Sequence, residues 1–124
     1  MELEELKSYL LAKNGVSEEV PFGPGTWVYK VQGKMFALVP WDANPLTIAL
    51  KCDPIRAIEL RTVYPAVTGG YHLNKRHWNT VVIDGSIPLA EIHWMIDHSY
   101  ELVVKGLPRR LKDELKGHNR IQEK

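Results

Sequence analysis

The sequence has a single cysteine, Cys52, and no long hydrophobic run. One cysteine cannot form an intrachain disulfide, which fits a reducing compartment. No stretch of about 18 apolar residues is present to span a bilayer. The first residues, MELEEL, are acidic where a secretory signal is basic. We therefore expect a cytoplasmic protein without membrane contact, and Cys52 as a buried bystander rather than a nucleophile.

Motifs for cofactors, metals and catalysis are also missing. Neither the dinucleotide-binding fingerprint nor the P-loop occurs. His93 and His98 are five residues apart, so on a helix they point about 140° apart and cannot share a metal. Asp97, His98 and Ser99 are the residue types of a hydrolytic triad, but neighbours on one helix cannot meet. Asp97 is placed to share a surface hydrogen bond with His93. We expect no cofactor, no metal and no enzymatic activity.

The composition is that of one ordinary globular domain. The chain has 124 residues, 44% hydrophobic and 25% charged, which suffices for one core but not for two. Its 16 basic and 15 acidic residues give no overall attraction for a polyanion. Residues 1–20 hold two basic and five acidic side chains, whereas residues 105–124 hold seven and three. We assign residues 1–111 to the domain and residues 112–124 to a charged C-terminal tail.

Hydrophobic periodicity predicts the order of the elements. The predicted elements are a helix over 2–13, strands over 26–31, 34–39 and 46–52, a helix over 54–64, a strand over 78–83 and a helix over about 88–105, with a turn of helix after Pro108. Gln32-Gly33 is predicted as a tight turn. Short turns favour antiparallel pairing, and helices set apart from strands favour an α+β fold with a single antiparallel sheet packed against helices. The first three strands should form a meander.

The second predicted helix has a clear start signal. Asp53 supplies an N-cap and Pro54 occupies the first helical position. Within this helix Ile55, Ile58 and Thr62 share one face.

One segment concentrates groups that can contact a polyanion. Residues 69–85 read GGYHLNKRHWNTVVIDG. Lys75 and Arg76 supply positive charge for phosphate, and the amide and planar side chains around them can hydrogen-bond or stack. These surrounding side chains are Tyr71, His72, Asn74, His77, Trp78 and Asn79.

The same residues also suit an ordinary strand at a sheet edge. Trp78 leads into the apolar run TVVI and can pack on the core, while Lys75 and Arg76 can guard an exposed edge. Adjacent positions of an extended segment face opposite sides, which lets one of these two cations reach a ligand. Arg109 and Arg110 are either the solvated end of a helix or additional contacts.

Four stretches of the chain resemble the MmcQ/YjbR family of small bacterial proteins. They are GYHLNKRHWNTVVIDG, the downstream MIDHSYELVVKGLP, and the upstream pair KMFALV and LTIALK. The resemblance covers nearly the whole chain up to about Leu111. It implies a compact α+β domain with the order helix, three strands, helix, two strands, helix, similar to frataxin-like (CyaY-like) and secretion-chaperone-like architectures. Where members often have a proline before the aromatic residue, this chain has Gly69-Gly70.

The resemblance also implies a function, because members are described as DNA-binding proteins with a double-wing motif. On this chain the motif falls on residues 72–75 and 77–80, with Ser99 and Tyr100 in the last helix. The first hypothesis is therefore a non-enzymatic, monomeric DNA-binding domain. Its phosphate contacts would be Lys75, Arg76, Arg109 and Arg110, with His72, Asn74, His77 and Trp78 in polar or stacking contacts.

Two other hypotheses stay open. The rival is a protein- or peptide-interaction module, in which a sheet face or edge takes the partner and the useful surface is apolar, at Trp27, Tyr29 or Trp41. The third is an enzyme whose pocket is lined by His77, Asn79 and Asp84, although the sequence indicates no reaction.

For the DNA hypothesis we expect weak, sequence-tolerant binding to duplex DNA, because few cations release few counterions. Titration at two salt concentrations measures this binding. An absence of binding at low salt, or unchanged binding by a Lys75→Ala, Arg76→Ala double variant, contradicts the hypothesis.

Overall fold

The computed structural model describes residues 1–20, 25–70 and 73–122, with side chains up to residue 117. Within these ranges the chain forms four helices and six strands. In chain order they are α1 (Leu3–Leu11), β1 (Val16–Glu19), β2 (Thr26–Val31), β3 (Lys34–Pro40), β4 (Leu46–Lys51), α2 (Pro54–Val63), β5 (Val67–Gly69), β6 (Trp78–Ile83), α3 (Leu89–Lys105) and α4 (Arg109–Gln122). None of the described helices is long and apolar enough to cross a bilayer.

The described strands form one sheet in the order β1-β2-β3-β4-β6-β5, and each neighbouring pair is antiparallel. This arrangement confirms the α+β fold with a single sheet and the meander of β2, β3 and β4. The sheet has an additional strand, β1, which the sequence analysis missed because its residues VSEE lack apolar alternation. After the second helix the sequence predicted one or two strands, and the structure has two; the bounds of the first, β5, were not predicted because it has only three residues.

The helices pack on one face of the sheet and enclose the core. Directly paired strand residues share a face, so Tyr29 with Ala37 and Ile48 with Val81 point to the helices. The largest fully buried apolar side chains are Tyr29, Phe36, Leu6, Leu10, Ile48, Ile96, Val28, Val31, Val39 and Val81.

A hydroxyl from α3 completes the sheet between β3 and β4. These two strands pair directly over two residue pairs and then separate beyond Leu50. Ser99, which is fully buried, accepts a hydrogen bond from the Lys51 backbone N–H at 2.9 Å and donates one to the Phe36 carbonyl at 2.6 Å. The helix therefore satisfies two backbone groups that the strands leave unpaired.

The same part of α3 is also bonded to α1 and to the residues that follow α1. The Asp97 carboxylate accepts hydrogen bonds from the Tyr9 hydroxyl at 2.6 Å and the Lys13 ammonium at 2.5 Å. Burial alone raises the pKa of Asp97, but these two hydrogen bonds outweigh it and lower the pKa. Burial and the Asp97 contact raise the pKa of Tyr9 to about 12. The prediction of a hydrogen bond between His93 and Asp97 is wrong. The His93 ring instead stacks on the Tyr9 ring, with the ring centroids 4.1 Å apart.

The predicted turn and helix start are both confirmed. Gln32 and Gly33 have φ angles of 49° and 79°, as a tight hairpin turn requires. The Asp53 carboxylate accepts a hydrogen bond from the Arg56 backbone N–H at 3.2 Å, and Pro54 begins α2.

The C-terminal helix α4 is longer than the predicted turn, and residue 111 falls inside it. Leu115 is buried, and its carbonyl accepts a hydrogen bond from the Asn14 side chain at 3.0 Å. The Leu111 carbonyl accepts one from the Gln32 side chain at 3.1 Å. A Cβ at Gly15 would lie 2.5 Å from a Leu115 methyl group, and the φ of Gly15 is +74°. This glycine therefore permits α4 to dock beside the β2–β3 turn.

We expect Ser99→Ala to reduce the free energy of unfolding by about 2–3 kcal/mol, because it leaves the Lys51 N–H and the Phe36 carbonyl buried without partners. Equilibrium denaturation in urea measures the change. Ser8→Ala, at an exposed position of α1, serves as the control and should stay within about 0.5 kcal/mol. Equal losses in the two variants would show that the Ser99 hydroxyl has no special role.

Candidate functional site

The helix α2 turns two large apolar side chains to solvent. Ile55 is 71% exposed and Ile58 is 62% exposed, whereas Ala57 and Leu60 face the core. Ile55, Ile58 and Thr62 do share a face, as the sequence pattern predicted, but it is the exposed face. Two bulky isoleucines on the solvent side of a short helix are the unusual feature of this surface.

Buried polar contacts fasten α2 to the rest of the fold. The Asn79 side chain of β6 is 2% exposed, and its Oδ1 accepts a hydrogen bond from Arg61 Nε at 2.7 Å. Its Nδ2 donates to the Ala57 carbonyl at 3.4 Å. At the start of the helix, the Asp53 N–H donates to His98 Nε2 at 3.2 Å, and burial lowers the pKa of His98. Asn79 is thus a structural anchor and not a ligand contact.

Arg61 links α2 to the connection between β5 and β6. Its Nη2 donates hydrogen bonds to the carbonyl of Lys75 and, at 3.3 Å, to the carbonyl of Trp78. The sequence analysis did not select Arg61. A lone arginine on a helix carries no motif, and only the buried Asn79 opposite it reveals its role.

The residues 73–77 form a loop with its own internal hydrogen bonds, which we call the 73–77 loop. The Asn74 Oδ1 accepts a hydrogen bond from the Arg76 N–H at 2.9 Å, as in an Asx turn. The Lys75 ammonium donates to the Gly70 carbonyl at 3.1 Å. Lys75 therefore folds back along the loop, but it stays exposed, as does Arg76.

A shallow groove lies between α2 and the 73–77 loop, and we call it the α2–loop groove. It is lined by Pro54, Ile55, Ile58, Arg61, Lys75 and Arg76. Among the described residues, no carboxylate forms an ion pair with Arg61, Lys75 or Arg76. The groove therefore combines exposed apolar side chains with positive charges that no described carboxylate pairs with.

Two aromatic residues of the predicted DNA-binding segment, His77 and Trp78, are described by the structure. The His77 carbonyl accepts a hydrogen bond from the Cys52 N–H at 2.8 Å, and the His77 side chain is half-buried. Trp78 is half-buried and pairs with Lys51 on the sheet face away from the helices. The prediction that Trp78 packs on the core, which lies on the face that the helices cover, is therefore wrong. Tyr71 and His72 lie outside the described residues.

The two arginines of α4 are not brought to this groove. Arg109 pairs with Asp113 at 3.6 Å and Arg110 with Glu114 at 3.4 Å, all on the exposed side of α4. The helix lies beside the β2–β3 turn, whereas the 73–77 loop leads into β6, so β3 and β4 separate them. Arg109 and Arg110 are therefore not among the residues that line the groove with Lys75 and Arg76.

The structure brings two of the three aromatic residues of the rival hypothesis together, because the ring centroids of Trp27 and Trp41 lie 5.3 Å apart. Tyr29 is fully buried and cannot contact a partner. Trp27 is half-buried, with the Lys7 ammonium 4.2 Å from its ring. Trp41 is 41% exposed.

The enzyme hypothesis also finds no assembled pocket. His77 precedes β6 and Asp84 follows it, so the strand separates them, and Asn79 is bound to Arg61. Burial raises the pKa of the Cys52 thiol to about 11, which makes it unreactive. No group of potential metal ligands occurs in the described part of the chain.

Comparison with known proteins gives relatives for most of the chain. A family model described as YjbR matches residues 11–102. The uncharacterised protein YjbR of Escherichia coli K12 is 37% identical over 108 residues, which cover 87% of this chain and 92% of that protein. The uncharacterised protein YbdF of Escherichia coli O157:H7 is 39% identical over 90 residues, 73% of this chain and 74% of YbdF.

Two solved structures have the same fold. The crystal structure of Deinococcus radiodurans protein DR2400, with the family-model domain DUF419, superposes with a TM-score of 0.87 at 37% identity, covering 92% of this chain and 87% of that one. A crystal structure from Pseudomonas syringae gives a TM-score of 0.72 at 27% identity, covering 82% and 98%. The family match includes the whole α2–loop groove and ends before α4.

We expect Arg61→Lys to free the 73–77 loop, because lysine keeps the charge but loses the planar fork that reaches Asn79 and two carbonyls. The free energy of unfolding should fall by about 1–3 kcal/mol. Hydrogen exchange at the loop amides should become faster. Arg56→Lys is the matched control on the same helix, where an exposed pair contributes less than about 1 kcal/mol. Unchanged exchange in Arg61→Lys would contradict the anchoring role.

Proposed function

The chain belongs to the YjbR family, and we propose that it is a non-enzymatic binding module that takes a segment of a partner protein in the α2–loop groove. The observation that carries this proposal is the exposure of Ile55 and Ile58 along the groove. Covering an isoleucine side chain completely contributes about 1.5–3 kcal/mol. Two such side chains supply enough for recognition of a short segment.

The groove is suited to binding because its walls are already fixed. Arg61 holds the 73–77 loop, and Asn79 holds α2. A fixed surface loses little conformational entropy when a ligand binds. A flexible loop would have to be ordered at the expense of affinity.

The sheet edges are poorer binding sites than the groove. The edge strand β5 has three residues, too few to template an added strand. The other edge, β1, carries Glu18 and Glu19, which pair with Lys7 at 3.6 Å and Lys30 at 3.4 Å. Charged and short edges disfavour strand addition, so we place the partner on helix and loop side chains.

DNA binding is the second candidate function. In its favour, Arg61, Lys75 and Arg76 lie together without a described carboxylate partner. Against it, three cations neutralise few phosphates, and the exposed apolar side chains beside them have no use for a sugar-phosphate backbone. The groove therefore favours a protein partner over duplex DNA.

To test the proposal, we would titrate the ¹⁵N-labelled protein with a neutral amphipathic peptide of about 15 residues, with leucines at helical spacing and glutamines elsewhere. The amide signals of Ile55, Ile58 and residues 73–77 should shift. Ile58→Ser should weaken the binding by about tenfold, because it removes about 1.4 kcal/mol of apolar contact.

The control for this experiment is Leu11→Ser, which removes an apolar side chain of α1 that is 43% exposed. It should leave the binding unchanged. A second titration uses duplex DNA. If DNA shifts the groove signals and the peptide does not, the nucleic-acid function replaces the one proposed.

A further inference from the structure

We propose that the segment bound in the α2–loop groove is acidic as well as amphipathic, with apolar side chains on Ile55 and Ile58 and carboxylates against Arg61, Lys75 and Arg76. This inference rests on the proposed function and specifies the chemistry of the partner. It follows from how the three cations are held.

The cations of the groove are bound by neutral groups, which fix their positions without cancelling their charge. Arg61 donates to the Asn79 amide oxygen and to two backbone carbonyls. Lys75 donates to the Gly70 carbonyl. Hydrogen bonds to carbonyl oxygens leave the net charge of an ammonium or guanidinium group intact, so an anion can still gain from it.

The nearby acids are outnumbered by the cations. Residues 53–63 and the 73–77 loop hold four cationic and two acidic side chains. Asp53 accepts the N-terminal hydrogen bond of its own helix, and Glu59 pairs with Arg56 at 3.2 Å. The groove therefore keeps a local positive charge in a chain whose formal net charge is only +1.

The order of side chains along α2 determines where the apolar and the charged groups of the bound segment lie. Pro54, Ile58 and Arg61 follow at four- and three-residue spacing and form one row on the helix. This row is apolar at the start of α2 and cationic towards its end. The apolar residues of the partner therefore lie beside the start of α2, and its carboxylates lie beside Arg61 and the 73–77 loop.

An acidic protein segment fits this surface better than a phosphate backbone does. Carboxylates beside leucine-like side chains match cations beside isoleucines, whereas a nucleic acid would leave Ile55 and Ile58 uncovered. The exposed Arg76 is the cation with the greatest freedom to form a bidentate pair with a carboxylate.

The experiment compares the neutral peptide described above with a matched peptide in which glutamates replace the glutamines. The acidic peptide should bind at least tenfold more tightly at low salt, and raising the salt should remove most of that gain. Dissociation constants come from the ¹⁵N titrations. A third peptide, with lysines in place of the glutamates, should bind more weakly than the neutral one.

Two charge reversals locate the effect. Arg76→Glu reverses the charge of an exposed side chain of the groove and should bring the affinities of the acidic and neutral peptides within twofold of each other. Arg109→Glu is the matched control on α4 and should retain the preference.

The possible outcomes distinguish a failure of this inference from a failure of the proposed function. Equal binding of the acidic and neutral peptides overturns the inference but keeps the protein-binding function. A failure of every peptide to shift the groove signals overturns both. Shifts caused by duplex DNA alone assign the cations to a nucleic acid and overturn the inference.

Discussion

The contact between Asn79 and Arg61 determines how this molecule presents itself to a partner. A buried amide in a central strand must be satisfied, and Asn79 obtains its partners from α2, at Arg61 and at the Ala57 carbonyl. That requirement fixes the rotation of α2 about its axis. With Ala57 and Leu60 facing inward, Ile55 and Ile58 can only face solvent. A polar contact inside the fold thereby creates an apolar surface outside it.

The same arginine has a second effect on the opposite wall of the groove. By donating to the carbonyls of Lys75 and Trp78, it positions the 73–77 loop next to the exposed isoleucines. Its acceptors are neutral, so its charge is placed without being neutralised. Packing and electrostatics are usually separate considerations, but here one guanidinium group links them. The position of the loop and part of the positive charge of the groove both depend on Arg61, which is itself only half-exposed.

Local patterns in the sequence were sufficient for most of the fold. The Asp53-Pro54 helix start, the Gln32-Gly33 turn and the alternation of the central strands are encoded within a few neighbouring residues. The outward face of α2 is not, because its periodicity is the same whether the isoleucines face the core or the solvent. The strand β1 was not predicted because its pairing with β2 does not require apolar side chains. The candidate site depends on a contact across 18 residues, between Arg61 and Asn79, which no short motif records.

The hydroxyl of Ser99 has a consequence for the way the chain comes apart. Because a side chain of α3 supplies the bonds that β3 and β4 lack between them, helix and sheet cannot separate in two independent steps. Partial opening of the helix would expose unpaired strand backbone at the same moment. The central sheet and α3 should therefore behave as one cooperative unit, in which the only low-energy openings are at the periphery. Such a unit offers proteases little to attack short of complete unfolding.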